Sequence, residues 1–374
     1  MRIVIDATPL LLRSSGVKTV IHHWTRALRP LLAAHESLRL FPLLDGAEQA
    51  ELNHEAPQTN ALNAFLRLGV LHAADLTGLA LPQFLTQAAD IFHVTQPIYK
   101  APRHPRLTAT IHDMTCWLMP EFHTPANAAA TRRFGETVWR QAKGLIAVSA
   151  SAKADAVRLL DLNPDLIDVI HNGVSEAFHP TPCLLDDAIA KRLQLPPNYI
   201  LYVGTIEPRK NIPTLLSAFL SLPEDVRQEF PLLLAGPVGW HSETILARMR
   251  AASPQIRYLG YIAETDLPAV TRRATAFVYP STYEGFGLPV AQAMLSGVPV
   301  ITSSTPALLE IAGEAALFID PRSPGELRNA FRELLTNPAL RRDLAQRGLA
   351  QAAPYRWDRM AAESLAFFRK VHSR

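Results

Sequence analysis

Short apolar runs that end in turn or polar residues recur along this chain, and segments with helical patterns lie between several of them. Strand-like runs that alternate with helices are typical of α/β proteins with parallel sheets, because parallel neighbours need a crossover connection. In the first half of the chain the runs are Ile3–Ile5, Ile91–Val94, Leu107–Ile111, Leu145–Val148 and Val169–Ile170. In the second half they are Tyr199–Val203, Pro231–Ala235, Arg257–Tyr258, Ala276–Tyr279, Val298–Ile301 and Ala316–Ile319. We therefore predict an α/β fold with two parallel sheets.

A proline-rich stretch separates the two alternating halves. The chain has 374 residues, enough for two domains at about 150 residues each. Between residues 176 and 197 the alternation breaks at Pro180, Pro182, Pro196 and Pro197. We predict a domain over residues 1–178, a linker over 179–197 and a second domain over 198–354. A crevice between two such halves, at the carboxyl ends of their strands, is a natural ligand site.

The composition is that of a globular protein, with 48% apolar and 19% charged residues. The net charge of +3 indicates no nucleic-acid partner, since such proteins usually carry a concentrated basic patch. Two cysteines, Cys116 and Cys183, suggest neither a disulfide framework nor a zinc site. The chain begins with a strand-like run, and we see no signal peptide and no apolar run of about 18 residues. We expect a soluble, cytoplasmic protein.

Residues 279–300 combine glycines, prolines and one acid in a strand–turn–helix pattern. Gly285 and Gly287 let the backbone approach a ligand closely, and Pro289 suits the first turn of a helix. The free N–H groups at such a helix start can hold a phosphate. Glu284, at the edge of this turn, is unfavourable beside a phosphate unless it meets a neutral hydroxylated group such as a sugar. The alternative is a plain turn with Glu284 as an exposed acid.

A second turn, residues 202–211, carries two cations next to a predicted strand end. The strand ends at Val203, Gly204 opens the turn, and Arg209 and Lys210 stand just before a helix. Two adjacent cations at the carboxyl end of a strand suit a diphosphate. The alternative is a solvated basic turn.

Together, Tyr202–Asn211 and Tyr283–Val300 resemble the retaining GT-B glycosyltransferases of family 4, which pair Gly-x-x-x-x-x-Lys with Glu-x7-Glu. The form Val-Gly-Thr-Ile-Glu-Pro-Arg-Lys-Asn is similar to the mannosyl- and rhamnosyltransferases of bacterial surface polysaccharide synthesis. Further segments that fit the family are Ile5–Ala7, Ser15–Val17, Thr110–Asp113, Val148–Ser151, His171–Val174 and Tyr355–Trp357. The resemblance implies two Rossmann-like domains with parallel sheets facing across a cleft, and a last helix (355–374) that returns to the first domain.

The resemblance also implies roles for the residues of the donor site. Lys210 matches the Lys that neutralises the donor diphosphate, and Arg209 substitutes for the usual Arg, whose place Thr205 occupies. Glu284 is expected to bind hydroxyls of the donor sugar. Gln292 stands where a second Glu binds ribose, so ribose would be held less strongly. The other positions expected to bind the donor nucleotide are Gly16, Gly204, Thr205, Gly285, Phe286, Gly287 and Leu288.

The first half contributes His112, which follows the run Leu107–Ile111. In the family a His at this place contacts the transferred sugar; a satisfied structural histidine is the alternative. Asp113 would orient His112 or bind the acceptor. Glu310 resembles a further family acid near the nucleotide.

The implied reaction is hexose transfer from a nucleotide-sugar, with GDP-mannose as the expected donor, to a saccharide or polyprenyl-diphosphate-linked acceptor. No Asp-x-Asp follows a strand, so we expect no metal and no cofactor; cations and helix N-termini would stabilise the leaving group. No carboxylate is a convincing nucleophile, which favours a front-face substitution. Two rivals stay open: a sugar-nucleotide epimerase of the same fold, and a non-catalytic nucleotide- or glycan-binding module.

Three segments suggest peripheral contact with an anionic inner membrane. Residues 62–85 are unusually apolar, while Tyr99–Arg106 and Arg132–Arg140 add cations and aromatic residues. Together they could rest on anionic lipid and receive a lipid-linked acceptor. The alternative is ordinary helix packing with solvated basic loops.

Overall fold

The computed structural model describes residues 1–12, 16–77, 86, 88–96, 104–239, 242–251 and 254–374, with only the backbone for residues 74–77. The chain forms two compact units. One consists of Met1–Gly173 with Tyr355–Arg374, and the other of Val174–Pro354. The predicted linker, residues 179–197, lies within the second unit and contains a short helix, Asp186–Arg192. Arg272 holds that helix to the unit through an ion pair with Asp186, at 3.4 Å.

The first unit is built on a parallel sheet with the strand order β2-β1-β3-β4-β5-β6. Its strands are β1 (Arg2–Asp6), β2 (Ser37–Phe41), β3 (Ile91–Val94), β4 (Leu107–Ile111), β5 (Gly144–Ala147) and β6 (Ile167–Val169). Its helices are α1 (Gly16–Leu28), α2 (Ala61–Thr77), α3 (Thr115–Leu118), α4 (Pro125–Phe134), α5 (Ala150–Leu160) and, at the end of the chain, Trp357–His372. That last helix packs on α1, and the Trp24 indole donates a hydrogen bond to Ser364 at 2.7 Å.

The second unit has a parallel sheet with the strand order β12-β11-β10-β7-β8-β9. Its strands are β7 (Ile200–Val203), β8 (Leu232–Ala235), β9 (Ile256–Gly260), β10 (Ala276–Tyr279), β11 (Val300–Ser303) and β12 (Ala316–Ile319). Its helices are α6 (Asp186–Arg192), α7 (Ile212–Leu220), α8 (Glu224–Glu229), α9 (Glu243–Ala251), α10 (Leu267–Arg272), α11 (Leu288–Leu295), α12 (Pro306–Ala312), α13 (Pro324–Thr336) and α14 (Pro338–Ala352).

Two six-stranded parallel sheets confirm the predicted α/β class, and each predicted apolar run overlaps one of the strands. β2 has no counterpart among those runs. Its side chains alternate, with Ser37 and Arg39 exposed and Leu38 and Leu40 buried. An edge strand with one solvated face gives no continuous apolar run, so a search for such runs misses it.

The order of the second sheet determines where a ligand can bind. β7 lies between β8 and β10: the chain adds β8 and β9 on one side of β7, then crosses back and adds β10, β11 and β12 on the other side. In open α/β sheets, such a switch point leaves a crevice at the carboxyl ends of the two central strands. Here those ends are Val203 of β7 and Tyr279 of β10.

The loops that follow β7 and β8 pack against each other through glycine. Gly236 has a φ of +142°, and a Cβ at this position would lie 2.0 Å from the Gly204 carbonyl oxygen. Gly236 also donates a hydrogen bond to the Gly260 carbonyl, at 2.8 Å. A side chain at residue 236 would therefore push β7 and β8 apart at the edge that holds the switch point.

We predict that Gly236→Ala lowers the free energy of unfolding by about 3 kcal/mol, because backbone atoms must move to admit the methyl group. Gly325→Ala is the matched control, since its Cβ would meet nothing closer than 4.0 Å. The control is expected to be neutral or to stabilise by up to about 1 kcal/mol. Denaturant unfolding of both variants measures the difference, and equal midpoints would contradict the prediction.

Candidate donor site at the switch point

The two sequence motifs of the second half meet at the switch point of its sheet. Residues 204–211 follow β7 and residues 280–287 follow β10, and the two strands pair directly. The loops are joined by hydrogen bonds: the backbone N–H and side-chain hydroxyl of Thr282 both donate to the Arg209 carbonyl, each at 3.0 Å. Asn211 donates to the carbonyl of Pro280 at 3.1 Å and to that of Pro321 at 2.6 Å.

A buried charge cluster lies where these loops meet. Lys210 Nζ donates to Glu284 Oε1 at 2.6 Å and to the Tyr279 hydroxyl at 2.7 Å. Arg209 Nη1 lies 2.9 Å from Glu284 Oε2, and Arg209 Nη2 lies 2.8 Å from Glu207 Oε1. We call Glu207, Arg209, Lys210, Tyr279 and Glu284 the charge cluster. It brings together three of the four predicted catalytic residues.

The cluster is nearly dry: Lys210 is 7% exposed and Glu284 is 8% exposed. The alternatives of an exposed acid at residue 284 and of a solvated basic turn are therefore wrong. Burial by itself would raise the pKa of Glu284, but the positive charges of Arg209 and Lys210 outweigh it and hold the pKa at about 2. Glu284 is consequently a carboxylate at neutral pH and cannot act there as a general acid.

A second buried tyrosine, Tyr202, packs against Tyr279 of the cluster. The rings of Tyr202 and Tyr279 stack with their centroids 6.0 Å apart. Burial raises the pKa of both phenols well above the ordinary value, so both hydroxyls stay protonated. The Tyr202 hydroxyl donates to the carbonyl of Thr205 at 3.3 Å. It thereby holds the turn that opens at Gly204, a position half-buried at the end of β7.

The helix start next to Glu284 has the geometry expected from its glycines. Gly287 adopts a φ of +104° at the N-cap of α11, where a Cβ would lie 2.6 Å from the Leu308 side chain. Gly285 and Phe286 are buried, whereas Leu288 and Gln292 are half-buried on α11. The first N–H groups of this eight-residue helix point along its axis towards the N-terminus, as a phosphate site requires. Glu310 lies half-buried on α12.

His112 and Gly16 belong to the first unit. Burial lowers the pKa of His112 to about 4, against the opposing effect of Asp113, so the imidazole is neutral at pH 7. Its Nε2 is buried and has no hydrogen-bond partner among the residues that the structure describes. Asp113 Oδ1 accepts hydrogen bonds from Thr115, one from the backbone N–H at 2.9 Å. Gly16 begins α1, and its Cβ would meet nothing within 4 Å.

The structure describes only parts of the three segments that are predicted to contact a membrane. Residues 78–85 and 97–103 lie outside the described part of the chain. On α2, four apolar side chains are each more than half exposed: Leu62, Phe65, Leu66 and Val70. In the third segment Arg133 and Arg140 are exposed, but Trp139 is buried and stacks on Trp117.

The described residues contain no group of three or more His, Cys, Asp or Glu side chains that could hold a metal ion. None of the described helices has both the length and the apolar character that a membrane span needs.

Comparisons with known proteins identify the family. The model described as Glycosyltransferase Family 4 matches residues 14–178, and the one described as Glycosyl transferases group 1 matches residues 186–351. Over 345 residues the chain is 32% identical to O-antigen chain mannosyltransferase B of Escherichia coli, covering 88% of this chain and 90% of that protein. The chain belongs to the family 4 glycosyltransferases.

Solved glycosyltransferase structures support the GT-B fold of this family 4 member. Sucrose-phosphate synthase from Thermosynechococcus elongatus superposes with a TM-score of 0.74 at 19% identity, covering 100% of this chain and 99% of that one. Anabaena Alr3699/HepE, solved in complex with UDP and glucose, superposes with a TM-score of 0.73 at 17% identity, covering 99% and 100%. The predicted family and fold class are confirmed, while the roles of the individual site residues stay predictions.

Glu207, Tyr279 and Tyr202 were not among the site residues predicted from the sequence. Glu207 belongs to the same short string as Arg209 and Lys210, and its charge next to two cations is a signal that could have identified it. Tyr202 lies in the buried strand β7 and Tyr279 ends β10, so their side chains resemble ordinary core residues in sequence. The pairing of β7 with β10 brings Tyr279 beneath Lys210, whose Nζ lies 5.1 Å from the centroid of the ring.

We predict that Glu284→Gln lowers the free energy of unfolding at pH 7 by about 3 kcal/mol, because it removes the carboxylate that pairs with both Arg209 and Lys210. The lowered pKa of Glu284 gives wild type a stabilisation that is fully present above the ordinary value of 4.5 and lost as the pH falls towards 2. The difference between wild type and variant should therefore shrink over that range.

Urea unfolding at several pH values measures this difference. Glu229→Gln, the same change at an exposed position of α8, should show no such pH dependence. A difference between wild type and Glu284→Gln that stays constant down to the acid limit of folding would contradict the low pKa.

Proposed function

We propose that the protein is a retaining hexosyltransferase that transfers mannose from GDP-mannose to a saccharide or polyprenyl-diphosphate-linked acceptor in surface polysaccharide synthesis. The observation that carries the proposal is the charge cluster: Lys210 and Arg209 each lie within hydrogen-bonding distance of Glu284 at the switch point. The choice of mannose rests on the name of the E. coli relative, a mannosyltransferase. The nucleotide-sugar class is supported by the UDP and glucose complex of the Anabaena neighbour.

The cluster suits the departure of a nucleoside diphosphate. When the bond between the sugar C1 and the phosphate oxygen breaks, negative charge gathers on the diphosphate. Lys210 and Arg209 would supply positive charge beside it, and the N-terminus of α11 would add oriented N–H groups. These groups are held in place before the reaction, so little reorganisation accompanies the step. The same groups would allow transfer without a metal ion.

Glu284 would accept hydrogen bonds from hydroxyls of the donor sugar. Its two oxygens already face Lys210 and Arg209, and an ion-paired carboxylate with a pKa of about 2 is a weak nucleophile. We therefore favour front-face substitution over a glycosyl-enzyme intermediate. The acceptor oxygen bonds to C1 on the face from which the diphosphate leaves, and the acceptor proton passes to the leaving phosphate oxygen. The configuration at C1 is then retained.

Donor binding provides the direct test. Thermal unfolding of the whole chain is followed with GDP-mannose, GDP, UDP-glucose and dTDP-rhamnose. A ligand at 100 times its Kd adds about 2.7 kcal/mol, so GDP-mannose should give the largest rise in midpoint. No shift with any nucleotide-sugar would overturn the proposal, and a larger shift with another donor would change the sugar or the base.

We predict that Lys210→Met lowers kcat for transfer by about 100-fold or more, because the charge that stabilises the leaving diphosphate is lost. Lys191→Met, the same change at an exposed position, should leave kcat unchanged. The formation of nucleoside diphosphate is measured with the donor that the binding screen identifies. EDTA should not lower the kcat of wild type. Isomerisation of the donor in the absence of acceptor would favour the epimerase. The absence of both transfer and hydrolysis would favour a binding module.

We also propose that α2 touches an anionic membrane surface and so meets a lipid-linked acceptor. Leu62, Phe65, Leu66 and Val70 recur at the spacing of one helical face, and each is more than half exposed. An apolar helical face of this kind suits the boundary between lipid headgroups and acyl chains. Arg67, half-buried on the same helix, would add a positive charge that attracts anionic lipid.

We predict that the protein pellets with vesicles rich in phosphatidylglycerol and that salt weakens this binding. The double change Leu62→Ser and Phe65→Ser should reduce binding about tenfold or more, since each side chain contributes about 2 kcal/mol when buried. Leu309→Ser, at an exposed position of α12, should not. Failure of wild type to bind anionic vesicles at low salt would contradict the membrane contact and leave the transferase assignment intact.

A further inference from the structure

Glu207 is the most deeply buried charged member of the cluster, at 2% exposure, and the reaction proposed above gives it no task. It stands directly before the short 3-10 turn Pro208–Lys210, and its carbonyl accepts the backbone N–H of Lys210 at 3.2 Å. Its side chain points to the same turn, where Oε1 accepts from Arg209 Nη2 at 2.8 Å. A buried carboxylate this close to a reactive pair needs a physical explanation.

Arg209 is the residue through which Glu207 reaches the other loop. Its Nη1 donates to the Tyr283 carbonyl and lies beside Glu284 Oε2, both at 2.9 Å. Its backbone carbonyl accepts two hydrogen bonds from Thr282. The guanidinium thus bridges Glu207 of one loop and Glu284 of the other, with Nη2 on the first carboxylate and Nη1 on the second.

The planar fork of arginine makes this division geometrically specific. A guanidinium prefers to bind one carboxylate with two parallel N–H groups. Glu207 engages Nη2, and the contact with Glu284 is made by Nη1. Without the Glu207 charge, Nη2 would lose its carboxylate, and the guanidinium would turn about its Nη1 contacts to bind Glu284 through both nitrogens. That rotation would turn the Glu284 carboxylate and compete with Lys210 for it.

Charge balance supports the same conclusion. Glu207 and Glu284 together neutralise Arg209 and Lys210, so the buried cluster has no net charge. Loss of the Glu207 charge would leave one positive charge in excess, and Glu284 would be attracted more strongly by both cations. A carboxylate held in this way would be a poorer acceptor for sugar hydroxyls.

We propose that Glu207 is a positioning residue, which holds the Arg209 guanidinium so that Glu284 keeps the orientation in which it meets the donor sugar. This inference rests on the proposed function. It assigns the effect of Glu207 to the transfer step, because the orientation of Glu284 matters most where the sugar reacts. It also predicts that the effect of Glu207 passes through Arg209.

The test is a double-mutant cycle with Glu207→Gln and Arg209→Gln, measured as kcat and donor KM separately. Glu207→Gln keeps the shape and removes the charge; it should lower kcat about 10- to 100-fold with less than a threefold change in donor KM. In the Arg209→Gln background, Glu207→Gln should have no further effect on kcat, since the residue through which it acts has gone. Glu229→Gln should leave kcat and KM unchanged.

Glu207→Asp covers the case in which Glu207→Gln does not fold at the assay temperature. It keeps the charge but withdraws it from Arg209, and its kcat should lie below that of wild type by about tenfold. Equal losses of kcat from Glu207→Gln with and without Arg209, or a lowered Tm with unchanged kcat, would overturn the positioning role. If wild type is active and the Glu207 variants have the same kcat as wild type, this inference alone is overturned. A wild type that neither binds nor transfers any donor sugar overturns the proposed function as well.

Discussion

Mutual neutralisation of two carboxylates and two cations in a nearly dry volume is the constraint on which the second unit depends. Each of these charges would be costly to bury alone. Lys210 and Arg209 come from the loop after β7, while Glu284 comes from the loop after β10. Their pairing therefore ties together the two loops on either side of the switch point. The hydrogen bonds from Thr282 and Asn211 secure the same junction through backbone carbonyls.

This junction also explains what chemistry the site can support. Glu284 is kept ionised by its neighbours, which suits an acceptor of hydroxyl hydrogen bonds and not a donor of protons. The lysine and arginine charges contact it where little of the three side chains is exposed, and α11 begins a few residues further on. In the reaction proposed above, the two cations and the helix N–H groups would stand in place before the diphosphate departs.

The sequence allowed much of the fold and the main site residues to be predicted. The apolar runs identified all strands except β2, which is solvated on one face and so produces no continuous run. Pro289 was predicted to lie in the first turn of a helix, and it does; Gly287, predicted to let the backbone approach a ligand, adopts a left-handed φ at the N-cap of that helix. The depth of Glu284 could not be predicted, because a glutamate at the start of a helix is exposed in most proteins. Glu207 was missed although its charge stands next to two cations in the sequence, and its burial against Arg209 is visible only in the folded structure.

Residue type and local order were determined by the sequence itself: two alternating α/β halves, the two loop motifs, and the charges they carry. These properties are local, since periodicity, turn-forming residues and helix starts depend on neighbours along the chain. Which loops meet was decided by the tertiary structure alone. The pairing of β7 with β10 joins segments about 75 residues apart, in a sheet whose order differs from the order of the chain. Only that pairing converts two separate charged turns into one buried, neutral cluster, because burial and charge compensation are properties of the packed state.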